Sequence, residues 1–265
     1  MRAALLLVLL CLLPSQVHAF PKDLHLFILA GQSNMTGQGK VSELPEDFPR
    51  YKNRIWNFTN AYLWERAKEP IDSPLNQVDQ VSRDDCAGVG PALSFADRLA
   101  ELKPGIQIGL IPCAKGGSTI DQWRPGGGRD TLYGSCLART RLAGRKGTIR
   151  GILWYQGESD TYSPESVLYW PMKFKLLIEY FRRDLKIRDL PVVFVQIGKL
   201  GGVYKNAARF RYWKNMQREQ GKLKLKYSRM VKANHLPVSD GIHLTTKGYL
   251  ELGRELAEAM NELAY

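Results

Sequence analysis

Histidine is scarce in this chain, with four residues among 265. A general base working near neutral pH is usually an imidazole, so the scarcity narrows the search for one at once. Cysteine is equally sparse, at four. No two cysteines are spaced Cys-x-x-Cys, which argues against a zinc site or a redox pair. No segment after residue 20 is long and apolar enough to cross a bilayer. Gly-x-Ser-x-Gly is missing, and with it the nucleophile elbow of the α/β-hydrolases. Gly126-Gly127-Gly128 has neither a preceding strand nor a terminal Gly-Lys-Ser/Thr, so it does not read as a phosphate-binding loop.

Acidic residues number 26 against 38 basic ones, a formal charge of +12. The excess points either to an acidic surrounding, such as an acidic polysaccharide, or simply to solubility. Nucleic acid is not the expected partner: there is no basic repeat, no zinc-finger spacing and no aromatic ribonucleoprotein signature. Met1-Arg2, the apolar run Leu5 to Leu13 and Val17-His18-Ala19 together predict a secretory signal peptide over 1–19. The expected mature chain, 20–265, is a single domain, secreted and extracellular (in the cell wall if the source is a plant). Three cysteines remain, Cys86, Cys113 and Cys136, enough for one disulfide of unspecified pairing. The thiol left over is expected to be a buried small apolar residue.

After residue 20, short β-like runs alternate with longer helical patterns, which predicts βαβ units around a parallel sheet. Strands are expected at 24–30, 106–112, 149–155, 191–197 and 224–231, and helices at 90–102, 130–143, 164–184, 206–220 and 245–262. The product is α/β, a three-layer α/β/α sandwich around a central, mainly parallel, five-stranded sheet. Residues 38–86 break the alternation and read as a long structured excursion over the top of the sheet.

The most informative stretch is Leu24 to Thr36. Its apolar run stops at Gly31-Gln32-Ser33-Asn34, which reads as a buried strand ending in a tight turn. Ligands bind at the carboxyl ends of strands in open α/β sheets, so Ser33 stands where chemistry is usually done. His18 leaves with the signal, and His25 falls inside the first strand as a packed or edge residue. Asp240-Gly241-Ile242-His243 follows the last strand. The spacing lets Asp240 fold back on the His243 Nδ1 and leaves Nε2 for Ser33, as base activation requires. Attack on an ester creates an oxyanion. The candidate donors are the Ser33 N–H, the Gly116-Gly117 pair and the Gln156 side chain, each following its own strand. Asn34, Gly116 and Glu158 are expected to support the site. Glu158 is read as a local hydrogen-bond organiser and Asp160 as a cap of the following helix. Ser118, Ser135 and Ser159 are rival nucleophiles. Trp56, Trp64, Trp123 and Tyr162 are candidates for stacking on sugar, with core packing as the alternative for each tryptophan.

Four blocks follow one another in order: Gly31-Gln32-Ser33-Asn34-Met35, Gly116-Gly117, Trp154 to Asp160 (Trp-Tyr-Gln-Gly-Glu-Ser-Asp), and Asp240-Gly241-Ile242-His243-Leu244. They resemble those of the SGNH hydrolases. More narrowly, they resemble the sialate O-acetylesterase-like branch, which includes the acetylxylan esterases of carbohydrate esterase family 6. Cys86-Ala-Gly-Val-Gly-Pro and Ile111-Pro112-Cys113-Ala-Lys-Gly-Gly are similar to the pattern of its plant members. The resemblance covers about residues 24 to 262. It implies a flavodoxin-like sheet, Ser33 as nucleophile, His243 as base and Asp240 as orienting acid. The Ser33 and Gly117 N–H groups would line the oxyanion hole, with Gln156 where many relatives carry Asn. Tyr204–Gln220 departs from the pattern, being rich in Arg, Lys and aromatics where relatives often show Arg-Glu-Ala-Gln.

The expected activity is removal of O-acetyl groups from carbohydrate through an acetyl-enzyme, with no cofactor, metal or membrane required. The alternatives are a silent carbohydrate-binding protein on the same fold, or a glycosidase using Glu158. Asn34 and Asn57 begin glycosylation sequons. Asn34 is expected to stay bare beside Ser33, and Asn57 to be the glycan site in a eukaryotic host.

Overall fold

The computed structural model describes residues 20–201 and 207–265. The expected signal peptide lies outside the described residues, as do 202–206, where one expected helix begins.

One seven-stranded sheet organises the chain, in the order β3-β2-β4-β1-β5-β6-β7. Its strands are β1 (Leu24–Gly31), β2 (Ile55–Phe58), β3 (Trp64–Arg66), β4 (Ile108–Pro112), β5 (Gly147–Tyr155), β6 (Val192–Gln196) and β7 (Ser228–Lys232). Every pairing is parallel except β2 with β3. The five expected strands are all present. The two additional ones amend the reading of 38–86: its two ends border the cleft at the sheet top through Gln38, Asp84 and Cys86, while its middle lengthens the sheet beyond β4. Strands of four and three residues carry too few positions to show a period.

Among the described residues six helices complete the layers: α1 (Ser33–Thr36), α2 (Ala92–Leu102), α3 (Leu132–Ala143), α4 (Pro164–Leu185), α5 (Trp213–Lys222) and α6 (Thr246–Ala264). α2 packs on α6, while α3 and α5 each pack on α4. The central strand β1 is almost wholly buried, with Leu24, Leu26, Phe27, Ile28 and Ala30 at 0 % exposure. That is why its sequence is a continuous apolar run rather than an alternation. α5 starts at Trp213, later than expected, after a 3-10 turn at Ala207–Phe210.

Between β2 and α2 the chain is tied down by a buried cation. Arg139 on α3 has no exposure. It donates to the Asn60 Oδ1 and the Pro112 carbonyl and lies 3.9 Å from Asp79. Asp79 also receives Arg129 and Ser135. A charge this deep is tolerated because it is paired and hydrogen-bonded. Cys113 and Cys136 form a disulfide that joins the end of β4 to α3, with Cα atoms 5.2 Å apart. The remaining thiol, Cys86, is exposed, which corrects the expectation of a buried one. It lies on a loop that borders a cleft, where no core exists to receive it.

Asn57 corrects the glycosylation reading. Its side chain is 5 % exposed and its Nδ2 donates to the Ile71 carbonyl at 2.8 Å. A glycan would need that same nitrogen. Trp123 is at 0 % exposure and donates to Ser118 Oγ, so it is core and not a sugar platform. Trp56 and Trp64 sit in β2 and β3, half-buried against Phe20. Tyr162 alone of the four aromatics faces the cleft.

Candidate active site

The cleft opens at the carboxyl ends of β1, β4 and β5 and has a volume of about 340 Å³. Ser33 enters it from the first residue of α1, one position beyond the Gln32 N–H that closes on the Tyr155 carbonyl at 2.8 Å. Ser33 is 5 % exposed and Asn34 is fully buried. The turn that carries Ser33 is thus part of the core.

His243 reaches Ser33 from the other end of the chain. Its Nε2 is 2.8 Å from Ser33 Oγ, and its Nδ1 is 2.7 Å from Asp240 Oδ2. In the tautomer whose Nδ1–H donates to the carboxylate, Nε2 is the acceptor for the Ser33 hydroxyl. Asp240 Oδ1 also accepts the backbone N–H groups of Ile242 (3.0 Å) and His243 (2.8 Å). Burial opposes ionisation of Asp240, but the His243 side chain and these two N–H groups outweigh it and hold the carboxyl below its ordinary value.

Asn34 locks the two halves together. Its Nδ2 donates to Glu158 Oε1 (2.7 Å) and to the Ile242 carbonyl (3.2 Å). Its Oδ1 accepts the Tyr249 hydroxyl (2.8 Å) and the Leu244 N–H (3.3 Å). All four hydrogen-bonding valences of the amide are therefore used. Neither sequon nitrogen is free. Glu158 is 1 % exposed. Burial pushes its carboxyl up, against the Asn34 hydrogen bond and the nearby imidazole. This is an organiser's environment, as expected. Asp160 does not cap the next helix; Ser163 does. Asp160 instead accepts the Ile120 N–H (3.0 Å) and the Gln156 amide, and burial raises its carboxyl to about 6.

Two expected oxyanion donors, the N–H groups of Ser33 and Gly117, border the cleft and donate to no described residue. The third expectation is corrected. Gln156 is fully buried, its Nε2 is committed to the Ser118 carbonyl and Asp160, and its Oε1 accepts Trp170 Nε1 at 2.8 Å. Its side chain faces the core side of the β5 turn, where α4 supplies the partner. Gln32 lines the cleft instead. Its Oε1 accepts the Ser159 N–H at 3.3 Å, which leaves its amide nitrogen as a donor. The sequence reading passed over Gln32 because it precedes the serine without an obvious role. Asp84 was passed over too, although an Asp two residues before Cys86 marks an Asx turn; its Oδ1 accepts the Cys86 N–H at 3.1 Å. Phe210, from the segment that departs from the family pattern, stands against Tyr162 as an aromatic wall, with ring centroids 5.0 Å apart.

The other candidates fall away from the cleft centre. Ser118 and Ser135 donate to the Gly31 carbonyl and to Asp79. Ser159 lines the cleft but lacks an imidazole. His25 is half-buried in β1 beside Tyr265. Among the described residues, one cluster unites metal-capable side chains, His235 with Glu251 and Glu255. None of the three lines the cleft.

A serine, an imidazole and a carboxylate in one chain of hydrogen bonds, at the carboxyl edge of a parallel sheet, form an arrangement suited to nucleophilic catalysis, and the family to which the chain belongs makes it a carboxylic ester hydrolase. The chain belongs to the family described as "carbohydrate esterase, sialic acid-specific acetylesterase", whose model matches residues 23–262. It is 32 % identical over 256 residues to a probable carbohydrate esterase of Arabidopsis thaliana, covering 88 % of this chain and 89 % of that one. A crystal structure of an Arabidopsis thaliana protein superimposes with a TM-score of 0.79 at 31 % identity, over 92 % of this chain and all of the other. A carbohydrate acetylesterase from Xanthomonas citri shares the fold, with a TM-score of 0.64 at 21 % identity, over 91 % of this chain and 56 % of its own.

Proposed function

We propose that this protein is a secreted serine esterase that removes O-acetyl groups from carbohydrate through an acetyl-enzyme. The observation that carries the reading is the unbroken chain Ser33 Oγ–His243 Nε2 at 2.8 Å and His243 Nδ1–Asp240 Oδ2 at 2.7 Å. Ser33 attacks the acetyl carbonyl while His243 takes its proton, and Asp240 steadies the imidazolium that forms. The tetrahedral oxyanion is received by the N–H groups of Ser33 and Gly117, with the Gln32 amide as a third donor. His243 then returns the proton to the departing sugar oxygen, and water repeats the sequence on the acetyl-enzyme. The Tyr162–Phe210 wall gives a sugar ring a face to lie on.

The basic surface favours acetylated acidic polysaccharide among the substrates. Secretion is supported by the N-terminal pattern and by the Cys113–Cys136 disulfide, since such bonds persist in oxidising compartments. Acetate release, measured across acetylated xylan, acetylated pectin and O-acetyl sialic acid, tests the reading. Activity on at least one of them, falling by about 10⁴-fold or more in Ser33→Ala, is expected. Equal rates for the two proteins would leave the two alternatives, a silent carbohydrate-binding protein or a glycosidase using Glu158, which cleavage of a de-acetylated oligosaccharide tells apart.

A further inference from the structure

The Asp84 carboxylate has no part in the proton chain, yet it touches three of the segments that build the cleft. It is 7 % exposed and lines the cleft itself. Its Oδ2 accepts the Gly116 N–H at 2.9 Å and the Thr36 hydroxyl at 3.2 Å, while Oδ1 accepts the Cys86 N–H. Thr36 closes the one-turn helix that Ser33 begins, and the same hydroxyl reaches the Ser33 carbonyl at 3.0 Å.

Gly116 and Gly117 form a turn closed by the Ser118 N–H on the Lys115 carbonyl at 3.3 Å. Gly117 has φ +71, a conformation open to glycine at little cost. A Cβ on Gly116 would lie 2.3 Å from Asp84 Oδ2, so the residue is a glycine because the carboxylate sits against its backbone. The Gly116 N–H is thereby used up, and the next one along the chain, that of Gly117, is left for the cleft.

We propose that Asp84 is a positioning residue: by holding the Gly116 N–H against the nucleophile turn, it fixes the direction of the Gly117 N–H toward the oxyanion. Resting on the esterase reading, it adds a residue that does not touch the reacting atoms. Losing an oxyanion donor outright typically costs about 10²–10³ in kcat, and misaiming one costs less.

The test is Asp84→Ala beside Asp84→Asn, assayed on 4-nitrophenyl acetate, with kcat expressed per Ser33 labelled to completion by a fluorophosphonate. Asp84→Ala is expected to lower kcat per labelled site about 10- to 100-fold with KM within about twofold. Asp84→Asn keeps one oxygen acceptor and is expected to fall between it and the wild type. Its near-identical shape keeps the test alive if the alanine variant does not fold. Unchanged kcat per labelled site in a folded variant overturns the inference, whether or not its thermal midpoint drops, because a purely structural role predicts that result. Wild-type protein no faster than Ser33→Ala overturns the inference together with the esterase reading; active wild type with equally active Asp84 variants overturns the inference alone.

Discussion

The two halves of the site are held by different physics. The serine side, Gly31–Thr36 with Gln156–Thr161, is buried throughout, and the side chains of Asn34, Gln156, Glu158 and Asp160 each find at least one hydrogen-bond partner inside the protein. The base side, Ser239–Leu244, is a loop whose Asp240 side chain is 47 % exposed and whose His243 side chain is 15 % exposed. It keeps its shape through hydrogen bonds: the Ser239 N–H to the His243 carbonyl, the Gly201 N–H to the Gly241 carbonyl, and the two bonds to Asp240 Oδ1. The carboxyls record the contrast. Burial wins at Asp160 and raises it, whereas hydrogen bonds win at Asp240 and lower it. The Ser33 oxygen is fixed by the core, and the His243 imidazole is aimed by a small network at the surface.

That contrast predicts which changes damage catalysis without damaging the fold. Asp240→Asn removes the charge that stabilises the imidazolium and is expected to reduce kcat about 10⁴-fold. Because the side chain is half in solvent, the thermal midpoint is expected to move by less than about 3 °C. A large loss of stability, seen by calorimetry, would break the contrast from the base side.

Asn34→Ala attacks the joint between the halves. It leaves the Glu158 Oε1, the Tyr249 hydroxyl and two backbone groups without their partner. A buried group left unpaired costs about 1–3 kcal/mol. Asn34→Ala should lower the thermal midpoint by about 5–10 °C and reduce kcat by about 10- to 100-fold. Denaturation scans paired with initial rates check both numbers. A kcat loss with unchanged stability would mean that Asn34 acts on the base loop alone.

The smallest effect is on pH dependence. A carboxyl raised by folding contributes stability below its unfolded pKa and loses it as pH rises through the folded value. Asp160, raised from 3.8 to about 6, should therefore withdraw at most about 3 kcal/mol across that interval. Asp240, being lowered, keeps its contribution throughout and loses it only below 3.8. Asp160→Asn should consequently lose less of its thermal midpoint between pH 4 and pH 8 than the wild type does, while Asp240→Asn should follow the wild type. Parallel curves for Asp160→Asn and the wild type would show that burial does not govern that carboxyl.

Much of the molecule was legible in the sequence wherever one short segment carries its own physics. The apolar run of β1 stopping at Gly31-Gln32-Ser33 marks a buried strand and its turn. Asp240 and His243, three residues apart, need only one loop to meet. Gln156 shows where such reading stops: its position after β5 was right, but its amide turns toward the nearby Asp160 and toward Trp170, a partner that only the packing of α4 supplies. The strands β2 and β3 were missed for a like reason, since a short segment becomes a strand when a neighbouring edge offers hydrogen bonds. Asp84 was missed because its main partner, Gly116, is distant in sequence.

The sequence by itself determined the alternation of the five longer strands with helices and the buried core of β1, and it singled out Ser33, Asp240 and His243 as candidates, because periodicity, turn chemistry and local spacing act over a few residues. Only the tertiary structure decided which donors face the cleft, which cysteines join and how far the sheet extends. Those outcomes depend on contacts between residues far apart in the chain, and a side chain with several possible partners takes the one that folding brings within reach.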